Sequence, residues 1–473
     1  MAGQIKLNNT VGGSLTIKDS DTLTSNRILD LSQFSTSASG SSVYGLIHNK
    51  TADTYKRFGT GTPEDNIWLS TFAERLNTNS NSDLVTQYFN NNATVQGAMK
   101  RVVLNDSGAY VRDYNATGYT HTDQTGLSAT ETVMVSIPKF YYISIEFMYK
   151  NDTYNLYAQS LATFSIDLSA IGFSGATSIL GQNVTNYKSY LSIVGTVITA
   201  KVHDAFNHAT EGEKSTLYVG AFESSNGGTN YKSTCTTTGT STSVYAVASQ
   251  TIATFRAKHL AFGARFQTQN WLMREAVTLS LLIERGTYQT ETNGSNNYSK
   301  WEAYSWRTGA TSDDQKLGLT LGLLNTTGVI KNASNQTIAV SYRGIENPYG
   351  HLWEFVDGCN IISGGVWLAK HGSTYLSDTT ASPYFTSGRT TLAAGVGVYI
   401  SDVHEGTFIP SATTGATNVT KMTDGGWFAG GNTVLRVGGL QNYPGISGSL
   451  AWYSGTASSL LVWDIGSRFG TLA

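Results

Sequence analysis

Ser341-Tyr342-Arg343-Gly344-Ile345-Glu346-Asn347-Pro348-Tyr349-Gly350-His351-Leu352-Trp353-Glu354-Phe355-Val356-Asp357-Gly358 is the stretch on which the reading of the fold turns. Gly344, Gly350, Gly358 and Pro348 punctuate a run that carries Trp353, Phe355 and Val356. Glycines belong where a chain reverses or another backbone comes close, so the stretch predicts a buried turn-strand pair. Its charged residues, Arg343, Glu346, Glu354 and Asp357 with His351, could form an acid–base cluster. A buried guanidinium beside a carboxylate braces loops more often than it catalyses, so the expectation is a structural ion pair between Arg343 and a carboxylate.

Working outward, helix signals precede this stretch and thin out after it. Ile252, Phe255 and His259 share a helical face in a segment from about 251 to 262. Leu272, Ala276, Leu279 and Ile283 form a stripe from about 270 to 285, ended by Gly286. A helix is also predicted near 63–76: Thr62 caps it, Pro63 fits its first position, Glu64 and Asp65 suit its dipole, and Trp68, Phe72 and Leu76 fall on one side. Thr132 to Tyr149 reads as strand, with Val133, Val135, Ile137, Ile143, Ile145 and Phe147. At the start, Gln4 to Leu7 and Ser14 to Lys18 alternate at period two around Gly12-Gly13. Ser35 to Ser42 reads as a linker, and the polar stretch Asn77 to Asn92 as a boundary. No repeat of fixed period is visible, which argues against a β-helix.

Composition agrees with many short strands and turns. The chain has 473 residues, 40% hydrophobic and 11% aromatic, but only 14% charged, with 49 glycines. An ordinary soluble domain carries about 25% charged residues. Net charge is −2 and no Lys/Arg run occurs, so nucleic acid is not an expected partner. No signal peptide is read at Met1 to Lys6, and no stretch of about 18 apolar residues suggests membrane insertion. Cys235 and Cys359 are far apart, and reduced, inert thiols are expected.

The opening stretch resembles the RGIENxxGxxWxxVDG signature of phage and prophage tail proteins, which share the formylglycine-generating-enzyme-like branch of the C-type lectin fold. Arg436-Val437-Gly438-Gly439, Leu450-Ala451-Trp452 and Trp463-Asp464-Ile465-Gly466-Ser467-Arg468-Phe469 resemble the closing GG…W…IGxR pattern of that family. Met99-Lys100-Arg101, Ile137 to Tyr142 and Tyr218 to Glu223 are similar to its upstream segments. The resemblance covers roughly Val95 to Ala473. It implies an α+β C-type-lectin-like fold with two helices and many short strands, in which Arg343, Gly344, Glu346, Asn347, Gly350, Trp353, Asp357, Gly358, Trp452, Trp463 and Arg468 are structural. Residues 1–40 are then a particle-attachment region, 41–94 a connection, and 95–473 the lectin-like domain, expected to fold without what precedes it.

Catalysis is not expected. The catalytic relatives hold copper with two cysteines a few residues apart near the end of the domain, and here nothing past Cys359 is cysteine. His351, His371 and His404 are isolated in sequence, short of the four ligands of a structural zinc. His404-Glu405 and Asp313-Asp314 are paired acidic or basic groups in Gly-rich loops, and Gly395-x-Gly397 lacks the third glycine of a dinucleotide site. No metal and no cofactor are therefore expected.

Between Gly438-Gly439 and Trp463 the chain carries Gln441, Asn442, Tyr443, Ile446, Ser447, Tyr453, Ser454, Ser458 and Ser459 among glycines. Tyr, Ser, Asn and Gly dominate adaptable recognition surfaces, so these residues are the candidate ligand-binding set. In relatives that look like this chain the same stretch lies on the exposed end of the fold; Trp452 and Trp463 are expected as core anchors. The leading expectation is a bacteriophage virion fibre, a homotrimer released by lysis, attached to other virion proteins through its N-terminal region and binding a host cell-surface protein or glycan. The rivals are a head fibre or capsid decoration protein without a receptor, and a glycan depolymerase.

Overall fold

The computed structural model describes residues 5–8, 14–17, 43–59, 68–69, 88–114, 127–180, 192–226, 230–235, 244–288, 317–331, 337–392, 395–404, 407–414, 422, 424–428, 430–440 and 447–473. Three large sheets dominate them. A seven-stranded antiparallel sheet runs Thr177–Leu180, Tyr141–Tyr149, Asp152–Ser160, Tyr44–Asn49, Thr54–Phe58, Trp68–Leu69, with Lys201–Val202 also on the Tyr141 strand. A six-stranded sheet runs Gln267–Thr268, Phe469–Leu472, Thr216–Gly220, Glu131–Pro138, Lys100–Asn105, Tyr110–Asp113. The nine-stranded sheet runs Phe385–Thr390, Gly365–Leu368, Trp353–Ile362, Asn432–Val437, Trp452–Thr456, Gly425–Phe428, Gly395–Val403, Pro410–Thr414, and Ile465–Ser467 adds to the Trp353 strand in parallel.

The α+β class is therefore corrected: the protein is predominantly β. Among the described residues the α-helices are α1 (Val95–Ala98), α2 (Ile252–Phe262) and α3 (Trp271–Arg285). The two longer ones lie where their caps place them. Thr251 Oγ1 accepts from Thr254 N at 3.2 Å, Asn270 Oδ1 accepts from Met273 N at 2.9 Å, and Gly286, at φ 73°, closes α3. What the class expectation missed is that Ser-, Thr- and Gly-rich stretches such as Phe385–Thr390 and Pro410–Thr414 are strands, held by pairing more than by their own propensity.

The helix predicted near 63–76 is also corrected where it is described. Trp68–Leu69 is an edge strand paired with Tyr55 and Lys56. The Trp68 ring lies 6.0 Å from Tyr154, and Lys56 Nζ lies 5.3 Å from its centre, so tertiary contacts override the local cap signal. The rest of that helix and the linker Ser35 to Ser42 lie outside the described residues. At the N-terminus, Ile5–Asn8 and Ser14–Ile17 pair as a hairpin.

Residues on the two sides of the expected 94/95 boundary share a sheet and a core. Tyr44–Asn49 pairs along Asp152–Ser160, and Tyr44, Leu46 and Tyr55 join the same buried cluster as Trp271, Phe355 and Leu472. Helix α3 sits inside that cluster with every residue from Trp271 to Glu284 buried, polar ones included. Its polar side is matched by specific partners: Gln159 Nε2 donates to Ser280 Oγ at 2.9 Å, and Gln96 Nε2 to the Ser280 carbonyl at 3.0 Å.

Candidate functional site

The signature stretch forms a turn, the short strand Ile345–Glu346 and the long strand Trp353–Ile362, as its glycines imply. Gly358, at φ 57°, passes so close to its neighbours that a Cβ there would lie 2.9 Å from the Ala369 carbonyl oxygen. Each charge in the stretch has a partner elsewhere. Arg343 Nε and Nη2 donate to Glu284 on α3 at 2.9 and 2.7 Å, the buried ion pair expected from the sequence. Arg256 on α2 grips Asp357 with two bonds of 2.6 Å. Glu346 accepts from the backbone of Gly318 and Thr320, both at 2.7 Å, and His351 Nδ1 lies 2.7 Å from Glu223.

Arg468, from the closing motif, ties these loops together. It donates to the Gly220 carbonyl at 2.8 Å, to the Glu346 and Asn347 carbonyls at 2.8 and 3.2 Å, and to Glu354 at 2.9 Å. Burial raises the Glu354 carboxyl above its ordinary range, with Arg468 pulling against it; burial likewise lowers the Arg274 and Arg101 guanidiniums. The carboxylates that looked like an acid–base cluster are thus spent on holding loops. Asn347 accepts from Val340 N at 3.0 Å, and Gly350 N donates to Gly438 O at 2.9 Å, which joins the signature to the closing motif.

The candidate ligand-binding set is scattered by the structure. Gln441, Asn442, Tyr443 and Ile446 lie outside the described residues. Ser447 and Ser454 are corrected: both are fully buried, Ser447 Oγ donating to Leu440 O at 2.8 Å and Ser454 Oγ to Trp427 O at 3.4 Å. Ser458 is half-buried and bonded to Asp378, and Ser459 is exposed. Trp452 is a core anchor, edge-on to Trp271 at 4.8 Å. Trp463 is not, at 42% exposed.

Tyr453 does reach the surface, in company the sequence reading missed. It pairs with Trp427 on one neighbouring strand and Arg436 on the other, so the three side chains rise from one sheet face. The Trp427 and Tyr453 rings are parallel, 7° apart in plane, with centres 5.8 Å apart. The Arg436 guanidinium carbon lies 3.8 Å from the Tyr453 ring centre and 5.2 Å from that of Trp353, and Trp353 meets Tyr453 at 5.6 Å, steeply inclined. Burial lowers the Arg436 guanidinium, while Asp464 and Tyr453 favour its charge. Trp427 remains 39% exposed. Gly455 makes room for the stack, since a Cβ there would stand 2.9 Å from Trp427 Cδ1 and 3.0 Å from Tyr453 Cε1. A signal for Trp427 existed: a large aromatic in Gly425-Gly426-Trp427-Phe428-Ala429-Gly430-Gly431 has few local neighbours to bury it.

Rigid aromatic faces beside a desolvated guanidinium bind ring-bearing or planar groups: sugar rings by their apolar faces, or aromatic and amide groups of a peptide. No group of three or more His, Cys, Asp or Glu side chains among the described residues is placed to hold a metal. His371 is not isolated in space; its ring centre is 5.6 Å from that of His208. Cys235 and Cys359 are buried free thiols. Among the described residues no helix is long and apolar enough to cross a membrane.

No family model matches this chain, and no curated protein does. Among solved structures it is similar to the Major Tropism Determinant U1 variant, at 14% identity and a TM-score of 0.26, over 79% of this chain and 72% of that one.

Proposed function

We propose that the protein is a non-enzymatic bacteriophage fibre subunit that adheres to the host cell surface through the face carrying Trp427, Tyr453 and Arg436. The observation that carries this reading is the aromatic–guanidinium stack, partly exposed although a neutral, charge-poor chain has ample small polar residues to cover it. Rigid aromatic rings beside an arginine are the side chains that carry most of the energy at recognition surfaces. The signature and closing motifs support a virion protein, and a homotrimer suits a module of weak individual sites, since tethered copies raise effective concentration.

The test is adhesion of labelled protein to a panel of bacterial strains. Strain-restricted binding is expected, and Trp427→Ala with Tyr453→Ala should abolish it without changing oligomeric state. Uniform binding to no strain favours a receptor-free decoration protein; release of sugar from capsule favours a depolymerase.

A further inference from the structure

A second site lies where the seven-stranded sheet meets the nine-stranded one. A cleft of about 380 Å³ opens there, walled by the loop after Tyr44–Asn49 (Lys50, Thr51, Asp53), by Glu146, and by Ser401 and Asp402. Its polar groups are organised. Lys50 Nζ lies 2.5 Å from Glu146 and 2.7 Å from Asp402, one carboxylate from each sheet. Burial pulls the Lys50 ammonium down, and Asp402 and Glu146 more than reverse it. On the loop side, Asp53 Oδ1 lies 3.0 Å from His48 Nε2 and accepts from Tyr55 OH at 3.3 Å. The His48 ring is itself stacked on Tyr55 at 4.3 Å.

A salt-bridge staple between two sheets explains the lysine and its two carboxylates. It leaves unexplained the open volume around them, which a third carboxylate, Asp53, held in place by His48 and Tyr55, also lines. An ionised carboxylate has about four acceptor sites, and these three, with the Thr51 and Ser401 hydroxyls, leave many unused. Three carboxylates outnumber one ammonium and the His48 imidazole, which is charged only when protonated, so the cleft is anionic, repels acidic ligands and favours hydroxyl donors and cations. Its volume is near the lower end of ligand pockets, about 300–1,000 Å³, and suits one ring rather than a polymer.

We propose that this cleft binds a single amino-sugar residue, its hydroxyls donating to the carboxylates and its ammonium balancing their excess charge. The site is separate from the aromatic face and does not depend on that face being adhesive. The test is saturation-transfer NMR on the full chain, with glucosamine, glucose and N-acetylneuraminate as probes. Transfer is expected to be strongest to glucosamine and absent for neuraminate. Asp402→Asn, which removes one charged acceptor, should weaken binding by about tenfold or more. Because that variant also loosens the staple, Thr51→Arg provides a second test: an exposed rim residue that carries bulk and positive charge into the opening, it should block glucosamine at unchanged melting temperature. Trp427→Ala should leave the transfer intact. No transfer to glucosamine, equal transfer to glucose, persistence in Thr51→Arg, or loss in Trp427→Ala each overturns the proposal.

Discussion

Replacing Arg468 by Met keeps most of the side-chain volume and removes the guanidinium on which five hydrogen bonds converge. Two things follow from the geometry. The carbonyls of Gly220, Glu346 and Asn347 lose a buried donor, and among the described residues Glu354 keeps Arg274, at 4.0 Å, as its ion-pair partner. Breaking one side of a buried ion pair costs about 3–5 kcal/mol, because the survivor is left charged in a poor solvent. With an unfolding entropy of roughly 1 kcal/mol/K for a chain of this size, a loss of about 4 kcal/mol lowers the melting temperature by about 4 °C.

The pH dependence separates this account from lost packing. Glu354 already has a raised carboxyl, and removing Arg468 removes the largest influence that lowers it. A group whose folded pKa lies above its unfolded value contributes stability that is present below the unfolded pKa and lost as pH rises through the folded one. The deficit of Arg468→Met relative to wild type should therefore be smaller near about pH 5 than near about pH 8. Adding Glu354→Gln should recover part of the loss at the higher pH and little at the lower. Differential scanning fluorimetry at both values is sufficient. A deficit below about 1 kcal/mol, within the range of an ordinary exposed ion pair, or one that does not change with pH, would refute the reasoning.

Acid should also act on the wild type through His259 and His371, each lowered to about 3 by burial. Both fold as neutral rings, so their contribution is present above about pH 6.5 and falls by about 1.4 kcal/mol per histidine by about pH 5.5; His259→Gln should flatten part of the melting-temperature slope. Gly455→Ala places a methyl group against the Trp427–Tyr453 stack and should shift tryptophan fluorescence and weaken cell adhesion while melting near wild type. A chain starting at Val95 lacks the strands Tyr44–Asn49 and Thr54–Phe58 and should show no cooperative melting. Light scattering of the intact protein should give three subunits per particle.

How much of this was written in the sequence depends on the distance over which each feature is decided. Helices α2 and α3 were legible because Thr251, Asn270 and Gly286 act within a few residues of the turns they cap. The ion pairs were legible in kind but not in partner: Arg343 meets a residue 59 positions away and Arg468 one 114 away, and no local pattern encodes that. Trp68 shows the converse, where a good local helix signal yields to Tyr154 and Lys56 brought in by the sheet. The aromatic face was partly recoverable. Along Trp452–Thr456, Trp452, Ser454 and Thr456 are buried while Tyr453 and Gly455 are not, the period-two alternation of a half-buried strand. Reading those five residues by alternation rather than by residue type puts Ser454 inside with Trp452, leaves Tyr453 outside, and makes Gly455 its neighbour on the same face. Residue type describes what a surface can bind; only the strand period says which residues are on it. The cleft offers neither clue, since His48 to Asp53, Glu146 and Asp402 meet only after two sheets have formed.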